Sequence, residues 1–143
     1  MLNKITIGIS QALNAEFGDG VKNHIDDVEQ GLVAPCFLIT PLTPTETHLL
    51  GKRYERRYPF VLQYFPENMA YRAECNEKAE KLFNILEYIT ADGLLIHGTN
   101  MEAHVVDGVL NFEVTYKMHI IKKREGAEGE DMENLELEAS LKE

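Results

Sequence analysis

Four residues that can ligate a divalent metal lie close together in the chain: His97, Glu102, His104 and Asp107. If this segment is a strand, Glu102 and His104 share one face, and zinc and manganese accept imidazole and carboxylate ligands. The spacing matches no metal motif such as HExxH, and the solvent-facing side of a hairpin collects polar residues by default. The sequence therefore predicts no metal site here, with a metal-dependent enzyme built on these residues as the alternative.

A second group is basic and aromatic, and it consists of Lys52, Arg53, Tyr54, Arg56 and Arg57. Such a patch can bind a phosphate backbone, or it can keep a solvated edge strand from pairing with another chain. It can also contact carboxylates of a neighbouring protein. Because the rest of the body carries no supporting basic field, we expect no specific nucleic-acid binding. The cluster is predicted to be a subunit or partner interface.

Other groups that could carry out catalysis are not arranged for it. Asp26 and Asp27 are adjacent, so on a strand they point to opposite faces, and Glu29 adds no specific pattern. Cys36 and Cys75 form no CxxC motif and fit a reducing compartment. No nucleophile triad, GxGxxG or Walker loop is present. The sequence predicts no catalytic residues, no cofactor and no enzyme activity.

The clearest secondary-structure signal follows Asp107-Gly108, a pair that tolerates positive φ at both central positions of a type I′ turn. After this pair, apolar and polar residues alternate from Leu110 to Ile120. Period-two alternation is typical of a strand with one buried and one solvated face. The sequence predicts a tight hairpin whose second strand covers residues 109–122.

Two helices are predicted. Residues 2–17 fit both strand alternation and helical spacing, but their alanines and the following Gly18-Asp19-Gly20 favour a helix. The second helix begins at Asn68 as N-cap and is stopped by Asp92-Gly93. Its apolar stripe consists of Cys75, Ala79, Leu82, Phe83, Leu86 and Ile89. If Phe83 is a core residue, Phe83→Ala costs roughly 3–5 kcal/mol.

The remaining segments alternate between strands and loops. Pro59 places the start of its strand at an edge or a bulge. Further strands are predicted over residues 21–28, 35–42, 58–65, 94–97 and 101–106, with a loop over 43–51. The order αβββαβββ indicates an α+β fold, a mostly antiparallel sheet packed by two helices.

The chain has 143 residues and a net charge of −10. Its length suits one domain, predicted over residues 1–124, and most of the negative charge lies in an acidic tail over 125–143. The tail is expected to be a solvated segment, or to form a small apolar stripe if it becomes helical on a partner. No signal peptide or membrane-length apolar run is present, so we expect a protein made in the cytoplasm that contacts no membrane.

Several collinear blocks over residues 1–120 resemble a family of small tail terminator proteins of long-tailed bacteriophages and prophages, mostly of Gram-positive hosts. The matching blocks are Leu2-Asn3-Lys4-Ile5, Ala12-Leu13-Asn14, Asp27-Val28-Glu29-Gln30-Gly31-Leu32, Pro35-Cys36-Phe37, Gly51-Lys52-Arg53-Tyr54, Gln63-Tyr64-Phe65-Pro66, Glu74-Cys75-Asn76, Ala79-Glu80, Leu82-Phe83, Leu86-Glu87-Tyr88-Ile89 and Val106-Asp107-Gly108-Val109-Leu110-Asn111-Phe112. The pattern contains no catalytic signature, and the acidic tail lies outside it.

The resemblance implies a structural virion protein. Copies of it would form a ring, a hexamer, that caps the tail tube, stops tube polymerisation and provides the surface that joins the head. Its partners would be itself, the tail tube protein, a head-completion or neck protein, and in some phages the tail sheath. It would assemble in the host cytoplasm and end at the neck end of the virion tail. Another head–tail joining protein is the alternative within the same class.

Overall fold

The computed structural model of the chain describes residues 1–18, 20–25, 33–67, 71–123 and 136–137. Within them it contains two helices and eight strands. In chain order these are α1 (Leu2–Phe17), β1 (Lys22–Ile25), β2 (Cys36–Pro41), β3 (Thr45–Leu50), β4 (Arg53–Phe65), α2 (Tyr71–Ile85), β5 (Tyr88–Ala91), β6 (Leu94–Val106), β7 (Val109–Ile121) and β8 (Glu136–Leu137).

The strands form one sheet in the order β1-β2-β4-β7-β6-β5. On the β2 side, β3 pairs with the first half of β4, while β8 pairs with the last residues of β7. The β1–β2 pair is parallel and the other pairs are antiparallel. The predicted α+β class, with a mostly antiparallel sheet and two helices, is confirmed.

The long strands β4 and β7 form the centre of the sheet. They pair from Arg53 opposite Ile121 to Tyr64 opposite Leu110. Alternate residues of both strands point to one side, which we call the core face, and the other side is the outer face. The buried core-face residues of the pair are Tyr58, Phe60, Leu62, Tyr64, Leu110, Phe112, Val114, Tyr116, Met118 and Ile120. The alternation predicted for the closing strand is confirmed.

The predicted tight turn into β7 is also present. Asp107 has a φ of 52° and Gly108 a φ of 78°, and a type I′ turn requires positive φ at both positions. Glycine adopts this conformation without steric cost, and aspartate is among the residues that tolerate it. The turn therefore sets the register of the β6–β7 hairpin.

Both helices pack on the core face. The predicted helix over residues 2–17 is confirmed, and it buries Ile5, Ile9 and Leu13. Helix α2 buries Cys75 and Leu82, so its predicted stripe is correct at these positions. Within the described residues, neither helix is both long and apolar enough to cross a membrane.

The prediction of a loop over residues 43–51 is wrong, because this segment contains β3. All six residues of β3 are exposed, so the strand has no alternating burial that could mark it in the sequence. It is a strand because it pairs with β4, from Thr45 opposite Arg57 to Leu50 opposite Arg53. Tertiary pairing has overridden weak local propensity.

Pro59 does not lie at the start of an edge strand, as predicted, but within the central strand β4. It lies where the partner of β4 changes, since β3 pairs up to Arg57 and β2 pairs from Phe60 onward. The Pro59 carbonyl accepts a hydrogen bond from the Leu42 N–H, 2.8 Å away. The proline nitrogen therefore faces the gap between two partners, where no ladder hydrogen bond is lost.

Helix α2 ends at Ile85, not at Asp92-Gly93 as predicted. Residues 88–91 form β5, and Asp92-Gly93 is the turn into β6. The chain leaves the helix where the Tyr116 hydroxyl donates to the Leu86 carbonyl, 2.7 Å away. The predicted strands over 94–97 and 101–106 are one strand, β6, which carries a register shift between Thr99 and Glu102.

Several predictions concern residues outside the described ranges. These are the paired carboxylates Asp26, Asp27 and Glu29, the end of the strand predicted over 21–28, and the Asn68 N-cap. The acidic tail is also outside them, apart from the two residues of β8.

Phe83 is at the margin of the core instead of inside it. Its side chain is 37% exposed, and its ring meets the fully buried Phe112 edge-on with ring centroids 5.1 Å apart. Its predicted place in the core stripe is therefore wrong, because the core-facing side of α2 is centred on Cys75 and Leu82.

We expect Phe83→Ala to cost about 1–2 kcal/mol, since much of the ring is already in water. Phe112→Ala should cost about 3–5 kcal/mol, because it leaves a cavity in a closed core. Denaturant unfolding of the two variants measures the difference. Equal losses would contradict the marginal position of Phe83.

Candidate functional site

The predicted basic cluster lies on the β3–β4 hairpin. Lys52 occupies the turn after Gly51, whose φ is 61°, and its carbonyl accepts the Lys122 N–H at 3.0 Å. The other four members lie on the first part of β4. Strand alternation divides them, because Tyr54 and Arg56 lie on the core face whereas Arg53 and Arg57 lie on the outer face.

The core-face members are held within the hairpin by Glu46 of β3. Arg56 Nε donates to one oxygen of Glu46 at 2.7 Å, and Lys122 Nζ donates to the other at 2.7 Å. The Lys122 ammonium also lies 4.3 Å from the centroid of the Tyr54 ring, and His48, the cross-strand partner of Tyr54, stacks on that ring with centroids 4.7 Å apart. Arg56 and Tyr54 thus stabilise the hairpin itself.

Glu55 has a similar role on the outer face. Its carboxylate accepts a hydrogen bond from Arg57 at 3.3 Å, and it lies 3.7 Å from Lys117 Nζ and 3.9 Å from His119 Nε2. Arg57 and Lys117 together carry more charge than the one carboxylate. Lys52 and Arg53 add to the excess, since both are exposed and form no ion pair with a described residue. The outer face of the hairpin is therefore basic.

Exposed leucines accompany this charge. The exposed fractions are 44% for Leu42, 48% for Leu49 and 77% for Leu50. Exposed apolar surface rimmed by polar residues is one of the features that mark protein interaction sites. The hairpin thus offers cations and apolar surface together, which suits a protein partner.

The sequence located the basic residues, but it did not identify their partners. Glu46 was missed because its segment was predicted to be a loop, and Glu55 because the strand was predicted to begin only at Tyr58. The alternation of β7 places Lys117 and His119 on the outer face, and this pattern is the sequence signal that could have identified them as members of the site. The register between β4 and β7, which brings them to Glu55, is a tertiary property.

The predicted metal-ligand candidates lie apart from the hairpin, on β6 and the turn after it. His97 stacks on Tyr88 with ring centroids 4.7 Å apart, and it lies 3.8 Å from Glu87. Glu102 pairs with Glu113, and His104 pairs with Asn111. Among the described residues, no three His, Cys, Asp or Glu side chains form a group that could hold a metal ion.

The carboxylate of Glu46 gives the hairpin a pH dependence. Hydrogen bonds from Lys122 and Arg56 lower its pKa from the usual carboxyl range. A lowered pKa in the folded state contributes stability that is present above the unfolded value, about pH 4, and is lost as pH falls through the folded value.

We therefore expect Glu46→Gln to lower the melting temperature at pH 7, because the neutral amide has only one acceptor oxygen for the two cations and no charge to attract them. The difference from the unmodified protein should shrink as pH is lowered below about 4, where Glu46 itself becomes protonated. Thermal unfolding across pH 3–7 measures both effects. A difference that stays constant with pH would exclude the ion-paired carboxylate as its cause.

Comparison with known sequences assigns the chain to a family. Curated protein sequences give no match. A family model described as "Phage tail terminator protein" matches residues 4–128, which include every described element except β8 and the first residues of α1. The match covers most of the chain and agrees with the resemblance found in its sequence blocks. The chain belongs to the phage tail terminator family.

Proposed function

We propose that copies of this chain form a closed ring, expected to be a hexamer, that caps the phage tail tube. The ring stops tube polymerisation and offers the surface to which a head-completion or neck protein binds, with the tail sheath as a further neighbour in contractile tails. The family supports a structural role in the phage tail. The subunit contact is assigned to the hairpin, from the loop at Thr43 to Arg57.

The hairpin supports this proposal because it carries exposed residues and cations that have no ionic partner among the described residues. All six residues of β3 are exposed, and Lys52 and Arg53 have no ionic partner among the described residues. A ring of identical subunits needs a heterologous contact, in which one patch meets a different patch of the next copy. A basic and apolar hairpin on a chain with a net charge of −10 can find such a patch on another copy.

The proposed role is structural and not enzymatic, with no cofactor and no specific nucleic acid. A capping role implies that the protein assembles in the host cytoplasm and ends at the neck end of the virion tail. The rival proposal is a metal-dependent enzyme that uses His97, Glu102 and His104. Elemental analysis of the purified protein separates the two. Stoichiometric zinc or manganese that is lost in His104→Ala would favour the enzyme.

We expect the double variant Lys52→Glu, Arg53→Glu to produce abnormally long tails. Both side chains are exposed and unpaired in the described structure, so their reversal removes a contact between subunits and leaves the fold intact. Electron micrographs of particles made with the variant measure tail length, and thermal unfolding checks the monomer.

Arg56→Gln is the matched control within the same hairpin. Because Arg56 donates to Glu46 at 2.7 Å, this variant should lower the melting temperature. Normal tails and intact virions from the double reversal would remove the hairpin from the interface. Normal tails after deletion of the gene would overturn the capping function itself.

A further inference from the structure

One side of β6 is unpaired over most of its length. Strand β5 covers β6 only from Leu94 to His97, and no described strand pairs with the remainder on that side. In a two-residue hairpin the residues that flank the turn, here Val106 and Val109, share hydrogen bonds, and the pairing then alternates. Ala103 therefore directs its N–H and C=O away from β7, toward the open side, and Val105 does the same.

A groove lies beside this open edge. It has a volume of about 530 Å³ and separates β6 from helix α2. Its lining includes Arg72, Asn76, Phe83, Ala103 and Val105. An open strand edge next to a groove lined by side chains is the arrangement that accepts an added strand, with main-chain hydrogen bonds on the edge and side chains in the groove.

Strand β3 lies toward the opposite side of the sheet, and no described strand pairs with its outer edge. The Pro59 carbonyl points toward the β2 and β3 side, so Glu55 and Arg57 direct their main-chain groups to β3 as well. By the same alternation, Glu46 and His48 direct theirs away from β4, to the unpaired side. Among the described strands, β3 and β6 thus each present an unpaired edge, and these two edges lie on opposite sides of the β4–β7 pair.

The charges beside the two edges are opposite. On β6, Glu102 lies directly opposite Glu113 of β7, both are exposed, and neither forms an ion pair with a described residue. Two like charges in directly opposed positions destabilise a strand pair. Beside β3, by contrast, the outer face carries Arg57, which is bound to Glu55, and Arg53, which has no ionic partner among the described residues. Each edge therefore has the charge that the other lacks.

We infer that β3 of one copy adds to the open edge of β6 in the next copy, so that the sheet continues from subunit to subunit. Neighbouring strands lie about 4.8 Å apart, so Arg53 of one copy would be about 10 Å from Glu102 of the next, measured between strand axes. The side chains of an arginine and a glutamate together span that distance. Because the two edges lie on opposite sides of the sheet, the contact is heterologous, as a ring requires. The inference rests on the proposed ring and names its two surfaces.

The first test removes a single hydrogen-bond donor from the edge. Ala103→Pro deletes an N–H that points away from β7 and leaves the β6–β7 ladder intact. We expect this variant to fold but to lose capping, which gives long tails. Ala103→Ser, which keeps the N–H and the small side chain, is the matched control and should cap normally. Normal tails from Ala103→Pro would overturn the edge contact.

The second test exchanges charges. Glu102→Lys removes the repulsion from Glu113, so it should raise the melting temperature of the free protein while it abolishes capping. Arg53→Glu alone should also abolish capping. The combination of Glu102→Lys with Arg53→Glu should restore normal tail length, because the pair is re-formed with opposite signs. Normal capping by both single variants would contradict the proposed charge pairing.

A third measurement does not depend on tails. Copies carrying Thr47→Cys are mixed at high concentration with copies carrying Glu102→Cys and treated with a short bifunctional thiol reagent, to which the buried Cys36 and Cys75 are inaccessible. We expect cross-links between the two variants and not within either. If gene deletion leaves tails normal, the proposed capping function is wrong, but these cross-links still test the edge contact on its own. Cross-links within each variant alone, or none at all, would overturn it.

Discussion

The uninterrupted pairing of β4 with β7 is the constraint on which the rest of this structure depends. Two 13-residue strands remain in one register from Arg53 opposite Ile121 to Tyr64 opposite Leu110. With a side-chain period of two, a slip of one strand by one residue would move its whole buried set to the outer face. Strands β2, β3 and β6 pair with these two strands and α2 packs on β7, and the register of the pair decides which charges meet at the hairpin.

The sequence predicted the parts of the fold that are encoded locally. Strand β7 alternates strictly, and its turn chemistry is sufficient by itself to define the hairpin. The end of α2 was predicted wrongly because Leu86 and Ile89 continue the helical spacing, although the Tyr116 hydroxyl binds the Leu86 carbonyl and the chain turns. Strand β3 could not be predicted, since a fully exposed strand carries no burial pattern.

The candidate site was predictable in residue type but not in organisation. The five members of the basic cluster form one continuous segment, and they do occupy one hairpin. Arg56 is bound to Glu46, whereas Arg53 is exposed. This difference depends on the pairing of β3 with β4 and on the face of the sheet on which each residue lies. The capacity for an interface thus depends on which cations have no carboxylate partner in the folded chain, and composition alone does not show this.

The change of partner at Pro59 has a mechanical consequence. On one side of β4, the ladder passes from β3 to β2 at this residue, whereas on the other side β7 pairs without a break. The hairpin is therefore joined to the core by the continuous backbone of β4 and by its hydrogen bonds to β7, with no second ladder beside Pro59. We expect bending of the hairpin relative to the core to concentrate beside Pro59, where the second ladder is interrupted.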